Sequence, residues 1–320
     1  MGLVGEAVAA PSMHNAQPWR FRYSRASGTF HLYADLERSM PHSDPDGRAL
    51  RLGCGAALFN LRVALAKAGF HADVVLLPDS DDTTLLAQVR TAPSDTTEDT
   101  GLTLLEPAIR RRHTSRYPFA DKAIPENVRT ALVDAAQREG AALSFPESWQ
   151  TRWVAELAEE AEARNLTDRG SEQDLARWTR IGSDEADTAT DGVPEYAFGP
   201  RKHGGRAPMR DFSGGRSVAD RGTTPFEDTP HLAVLSTDGD QPVHWLRAGQ
   251  AMQRVLLLAT LNDLATSFST QALEWPDLRW PLRDPRTGSG QVQMILRLGY
   301  GPQGPATPRR PVSEVLVMED

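Results

Sequence analysis

Two stretches of this 320-residue chain combine residue types that could hold a small, flat, anionic ligand. The first is Ala10-Pro11-Ser12-Met13-His14-Asn15-Ala16-Gln17-Pro18-Trp19-Arg20-Phe21. Pro11-Ser12 and the Asn15 amide make a turn that presents backbone N–H, a hydroxyl and a carboxamide together. Asn and Gln donate and accept at once, which suits the polar edge of a planar ring. The same side chains could instead simply cap the structure that follows. The second stretch is Arg110-Arg111-Arg112-His113-Thr114-Ser115-Arg116-Tyr117-Pro118-Phe119. Its four guanidiniums, interleaved with hydroxyls, could cradle a phosphate or carboxylate. A solvated basic face at a helix end is the alternative. Pro308-Arg309-Arg310-Pro311 adds two cations on a turn stiffened by proline.

Other chemistries find less support. His203-Gly204-Gly205-Arg206 is like an oxyanion loop, but no Gly-x-Ser-x-Gly elbow accompanies it. The run starting at Gly288 opens no helix and lacks the third glycine of a dinucleotide fingerprint. No His-x-x-x-His or His-Glu-x-x-His pair suggests a metal. Cys54 is the only cysteine, which excludes an internal disulfide and a Cys-based zinc site. On an apolar helix it reads as a packing residue. Lys plus Arg number 35 against 43 Asp plus Glu, a net of -8. That balance disfavours a nucleic-acid partner, whose phosphates need a basic footprint, while allowing a local basic pocket. No run of about 18 apolar residues suggests a membrane span, and the N-terminus lacks a basic signal region. A cytoplasmic location is expected, with no membrane partner.

The elements that must position these residues are organised around a weak repeat. Leu50-Arg51-Leu52-Gly53 and Leu246-Arg247-Ala248-Gly249 each open a long apolar helix. Without a gap they match at Leu50/Leu246, Arg51/Arg247, Gly53/Gly249, Leu61/Leu257 and Leu65/Leu261. Each helix follows a strand beginning His-Leu, at His31 and His231, and precedes another strand, near Val74 and near Ile295. The shared order favours duplication. Helices apolar on most faces should be buried, and two of them should pair at a pseudo-two-fold axis. Pro125 at a first-turn position and Glu126 mark a further helix, and Thr151 to about Asn165 another. The expected division is 1–100 and 101–320, with a lid at about 167–230. Trp178, Tyr196, Phe198, Met209 and Phe212 give that lid something to bury.

Taken together, the motifs resemble the FMN-dependent nitroreductase superfamily. PSMHNAQPW is similar to its Pro-Ser-x-x-Asn-x-Gln-Pro-Trp motif, RHTSRYPF to its Arg-rich flavin motif, and PATPRRP to its C-terminal basic turn. The motif order, the duplication and the central insertion resemble the Acg subfamily of actinobacteria through nearly the whole chain, most weakly in the lid. The resemblance implies an α+β nitroreductase-like fold. Two tandem related halves would form an internal pseudo-dimer with buried central helices, a long lid and one FMN. It places Arg112 and Arg116 at the FMN phosphate and the ring's N1/O2 side. His113 and Thr114 would meet the phosphate and ribityl chain, and Arg309 and Arg310 would complete the phosphate pocket. Pro11, Ser12, His14 and Asn15 would reach the flavin from the other half. Ser269 and Thr270, at the end of the second buried helix, would lie near N5. Gln17 and Trp19 read as structural.

No catalytic side chain is implied, because the flavin carries the redox step. Hydride would pass to and from N5, between NAD(P)H and a small electron-accepting substrate. The alternative is an FMN storage or sequestration protein whose lid blocks NAD(P)H. The expected assembly is a monomer acting as an internal dimer.

Overall fold

At the centre of the computed structural model, which describes residues 2–93, 100–283 and 290–320, two long helices cross. They are Arg48–Lys67 and Pro242–Leu261, twenty residues each, and nearly every side chain from Leu50 to Leu65 is buried. Glycine decides how close they come. A Cβ on Gly55 would sit 2.3 Å from the Leu246 carbonyl oxygen, and one on Gly249 would sit 2.2 Å from that of Leu52. The contact is reciprocal, and it relates positions 194 apart rather than the 196 of the ungapped alignment. Leu52, Gly55 and Ala57 lie 194 positions before Leu246, Gly249 and Ala251, the pairing that a two-fold relation between the helices would give. Gly53, matched to Gly249 by sequence, faces the Ser12 side chain instead.

Glycine-to-alanine changes in helix interiors ordinarily gain stability, by about 0.8–1 kcal/mol. Here the added methyl meets backbone, so Gly249→Ala should destabilise by about 1–3 kcal/mol through overpacking. Thermal or urea unfolding checks the sign, with Gly2→Ala, which meets nothing within 4 Å, as the neutral control.

Two sheets flank the helix pair. The first runs in the order Leu316–Glu319, Trp19–Ser24, Thr29–Ala34, Leu85–Pro93, Phe70–Leu76. The second runs Ala265–Phe268, Gln291–Gly299, His231–Thr237, Ala142–Ser144. All pairings in these sheets are antiparallel except that of Leu316–Glu319 with Trp19–Ser24. Through that last strand the chain's end crosses to the first sheet, carrying the Arg309-Arg310 turn with it. One apolar core joins both sheets to both helices. The first central helix is long and apolar enough to cross a membrane by composition, yet it lies buried against the second.

Several expectations need correction. Strand Ala265–Phe268 follows the second central helix, so Ser269 and Thr270 come just after a strand rather than at the end of that helix. Its Thr266 and Ser267 hid it from an apolar-run reading. Pro125 is the N-cap of helix Glu126–Arg138 rather than a residue of its first turn. The lid is more ordered than its composition suggested. It holds helices Arg169–Arg177 and Ser183–Thr188 and two short parallel strand pairs. Val193, Ala197, Phe198 and Phe212 give it a small core. Trp178 is buried as well, but Tyr196 is 47% exposed, its hydroxyl resting on the Ala306 carbonyl. Met209 is half-buried. Gly288, where the rejected dinucleotide fingerprint would begin, lies outside the described residues.

Candidate functional site

The Pro11–Trp19 loop is shaped by three non-glycine residues at positive φ, His14 (46°), Asn15 (56°) and Gln17 (54°). Left-handed backbone costs an L-residue roughly 1–2 kcal/mol, though Asn and His tolerate it better than most. The surroundings hold the loop there. Ser12 Oγ accepts the Gln17 N–H at 2.8 Å. Gln17 Nε2 donates to the Thr190 carbonyl at 2.9 Å, and its Oε1 accepts the Arg310 N–H at 2.8 Å. Asn15 Nδ2 donates to the Gly192 and Pro308 carbonyls at 2.9 and 3.0 Å, and its Oδ1 accepts Arg309 Nη1 at 2.9 Å. Gln17 and Asn15 thus clamp the base of the lid and the C-terminal basic turn. The Asn15 amide hydrogens are taken by protein carbonyls rather than left for a ring edge.

Beneath this loop lies a cleft of about 1130 Å³, solvent at its mouth included. Its walls come from the start of the first central helix (Arg48, Leu52, Gly53), Met252 of the second, Phe268, Thr270, Gln271 and Glu274 after it, and lid residues Met209, Arg210 and Phe212. Of the residues singled out by sequence, Pro11, Ser12, His14, Asn15, Arg112, Thr114, Arg116, Thr270 and Arg309 line the cleft. His113, Ser269 and Arg310 do not. His113 is half-buried beside it. The Ser269 hydroxyl faces Gln271 Oε1 at 3.4 Å. Arg310 is buried with Nη1 on Asp35 Oδ2 at 3.3 Å, an internal ion pair.

The arginine cluster divides in two. Arg110 and Arg111 turn outward to Glu6 and Asp263, as a solvated basic face would. Arg112 and Arg116 turn inward. Arg112 is 3% exposed, and among the described residues its Nη2 reaches only the Ala9 carbonyl at 3.4 Å while its Nε and Nη1 have no partner. Arg116 Nη1 donates to the Ala197 carbonyl at 2.8 Å, and its guanidinium lies over the Phe212 ring. Arg309 donates to Asn15, Thr307 and the Ala9 and Ala10 carbonyls, and its buried Nε has no partner among the described residues. Among the described residues, none of the three has a carboxylate within salt-bridge distance. Burial pushes Arg112 down to about 10. It does the same to Arg116, helped by Arg210. Arg309 falls to about 9 through burial and the charges of Arg112 and Arg110. Buried cations with orphaned N–H groups are uncommon, because desolvation penalises them unless something negative comes.

Sequence reasoning missed the lid's contribution. Arg210 Nη2 meets Glu274 Oε1 at 2.5 Å, and its Nη1 meets His14 Nε2 at 3.0 Å. Nothing in the Gly-rich surroundings of Arg210 marks it, and its carboxylate lies 64 positions away. Arg48 was missed too. It is buried in the cleft wall with Nη1 on the Gln293 carbonyl at 2.5 Å.

No protein-family model matches the chain. Three relatives from Mycobacterium tuberculosis do. One, provisionally named NAD(P)H nitroreductase Rv3131, is 34% identical over 316 residues, covering 97% of this chain and 88% of the relative. A second, provisionally named NAD(P)H nitroreductase acg, is 31% identical, covering 97% and 92%. The third, the uncharacterized protein Rv3127, is 30% identical, covering 97% and 90%. Among solved structures, a nitroreductase from Bacteroides fragilis with bound FMN is 16% identical. It covers 65% of this chain and 93% of its own, at a TM-score of 0.37.

Proposed function

The chain belongs to the nitroreductase superfamily, in its Acg-like branch, and on that premise we propose that it binds one FMN in the cleft and acts as a flavin-dependent oxidoreductase. What carries the reading is the pair Arg112 and Arg309, buried cations without a carboxylate at one cleft wall. A phosphate dianion would supply the missing counter-charge and accept their orphaned N–H groups. Thr114 and Thr307, also in the wall, offer hydroxyls beside them. Leu52, Met252, Phe268 and Met294 give the cleft apolar sides suited to a planar ring. In this reading Arg116, Ser12 and His14 face the ring, Thr270 lies by N5, and Arg310 and Ser269 act from behind the wall.

When bound, FMN supplies two-electron chemistry at N5, toward a nitro group, quinone or activated double bond. The chain's residues bind, orient and exclude water. The reciprocal Gly55 and Gly249 contact supports two related halves packed as an internal dimer; halves of 1–100 and 101–320, a monomeric assembly and a cytoplasmic location belong to the same proposal.

A second reading, FMN sequestration, is favoured by how firmly the lid is pinned. Gly192 and Thr190 bond to the Asn15 loop, Asp191 pairs with Arg38 at 2.9 Å, and Arg210 pairs with Glu274. A lid so held could keep a nicotinamide off the ring. Mixing the FMN-loaded protein with NADPH or NADH without oxygen separates the two. The oxidoreductase reading expects bleaching of the flavin absorbance. A flavin that stays oxidised and bound favours sequestration, and a protein that takes up no FMN removes both.

A further inference from the structure

A lid arginine and a loop histidine form a unit that phosphate binding does not explain. Arg210 is nearly buried, held by Glu274, and donates toward His14 Nε2. A guanidinium has only donors, so the ring nitrogen facing it must accept. The imidazole is then neutral and carries its proton on Nδ1. Burial, followed by the charges of Arg210 and Arg116, holds His14 well below the usual histidine range, in the same direction. The carboxylates facing Arg210 are Glu274 and, at longer range, Glu162. His14 Nδ1 is buried in the cleft wall and has no hydrogen-bond partner among the described residues. The ring is held in place, with Phe212 meeting it edge-on at 5.6 Å and the backbone fixed in the left-handed region.

We propose that Arg210 fixes His14 as a neutral Nδ1–H donor to the ligand in the cleft. Seating the lid and completing the ligand's set of donors are then one event. His14 touches the ligand, and Arg210 is a positioning residue that acts through it. With FMN as that ligand, the inference rests on the flavin reading. The oxidised ring's edge presents acceptor nitrogens and carbonyl oxygens, which a neutral donor suits.

The test uses protein labelled with nitrogen-15 at its histidines, with the His14→Asn variant assigning the signal. Asn is chosen because it tolerates positive φ. The wild type should show a separated pair of His14 ring nitrogens, protonated at Nδ1, that persists where other histidines titrate. Arg210→Met should average the pair as the tautomers mix and move the titration upward, while burial and Arg116 still hold it below the ordinary histidine range. Arg210→Lys, which keeps a donor, should restore the wild-type pattern. In FMN titrations, His14→Asn and Arg210→Met should each weaken binding by roughly three- to tenfold. The double variant should lose no more than one of them, because they act as a unit. An Nε2–H tautomer in the wild type, an unchanged ring in Arg210→Met, or losses that multiply in the double variant would overturn the inference. A wild type that takes up no FMN overturns the flavin reading by itself. The tautomer is measured on the protein alone and still upholds or overturns Arg210's hold on His14.

Discussion

Replacing Arg112 by alanine is expected to weaken FMN binding by about tenfold to a hundredfold or more while leaving the ligand-free protein no less stable. The first half follows from a charge-assisted contact to phosphate, worth roughly 1.5–3 kcal/mol, where every 1.4 kcal/mol is tenfold in Kd. The second follows from the cation's surroundings. Without a ligand, Arg112 is buried, lacks a carboxylate and stands close enough to Arg309 to push that guanidinium down. Removing it relieves a repulsion and an unpaired buried charge, which offsets the packing lost with its stem. Opposite signs in the two measurements mark a residue placed for a ligand rather than for the fold. FMN titration and thermal unfolding with and without FMN read both. In the wild type, FMN at a hundred times Kd should add roughly 2.7 kcal/mol of stability, and Arg112→Ala should lose most of that gain. Unchanged affinity would mean that Arg112, though buried at the cleft wall, does not hold the ligand. Arg110→Ala is the matched control, because its guanidinium turns outward to Glu6.

That contrast shows what the sequence could and could not reveal. The two motifs are local, so their residue types were visible along the chain, as were the two buried helices. Which arginines of the cluster face inward is a matter of rotation after helix Glu106–Ile109 ends, and no spacing rule encodes it. By its chemistry Asn15 suits the edge of a ring. Its amide is occupied by Gly192 and Pro308, partners 177 and 293 positions away that a local reading cannot see. The lid was legible as an insertion with something to bury. The pairing of Arg210 with Glu274 and His14 was not, since it exists only once three distant segments meet. The like order of strands and helices in the two halves was legible, but the close contact of Gly55 and Gly249 joins positions 194 apart, which scattered leucine identities do not reveal.

A larger stability effect is expected at the other root of the lid. Arg297, on strand Gln291–Gly299, is fully buried, with Nε on Glu227 Oε1 at 2.5 Å and Nη2 on Oε2 at 3.1 Å. Its Nη2 also donates to the Tyr117 carbonyl at 2.7 Å, and its guanidinium lies 3.8 Å from the centre of the Phe119 ring. Glu227 closes the set by accepting the Phe119 N–H at 3.1 Å. One ion pair thereby joins the end of the lid, the second sheet and the segment just after Arg116. Glu227→Ala leaves the cation buried and unpaired, and should destabilise the protein by about 3–5 kcal/mol in urea unfolding. Replacing both partners, as Arg297→Met with Glu227→Met, removes the two desolvation penalties together and should be roughly neutral or even stabilising. The double variant thus separates the pair's role in stability from its role in placement. If it folds as stably as the wild type yet its lid amides exchange faster, the pair serves to seat the lid. If Glu227→Ala costs less than about 1 kcal/mol, water reaches the pair and it is no more than a surface contact.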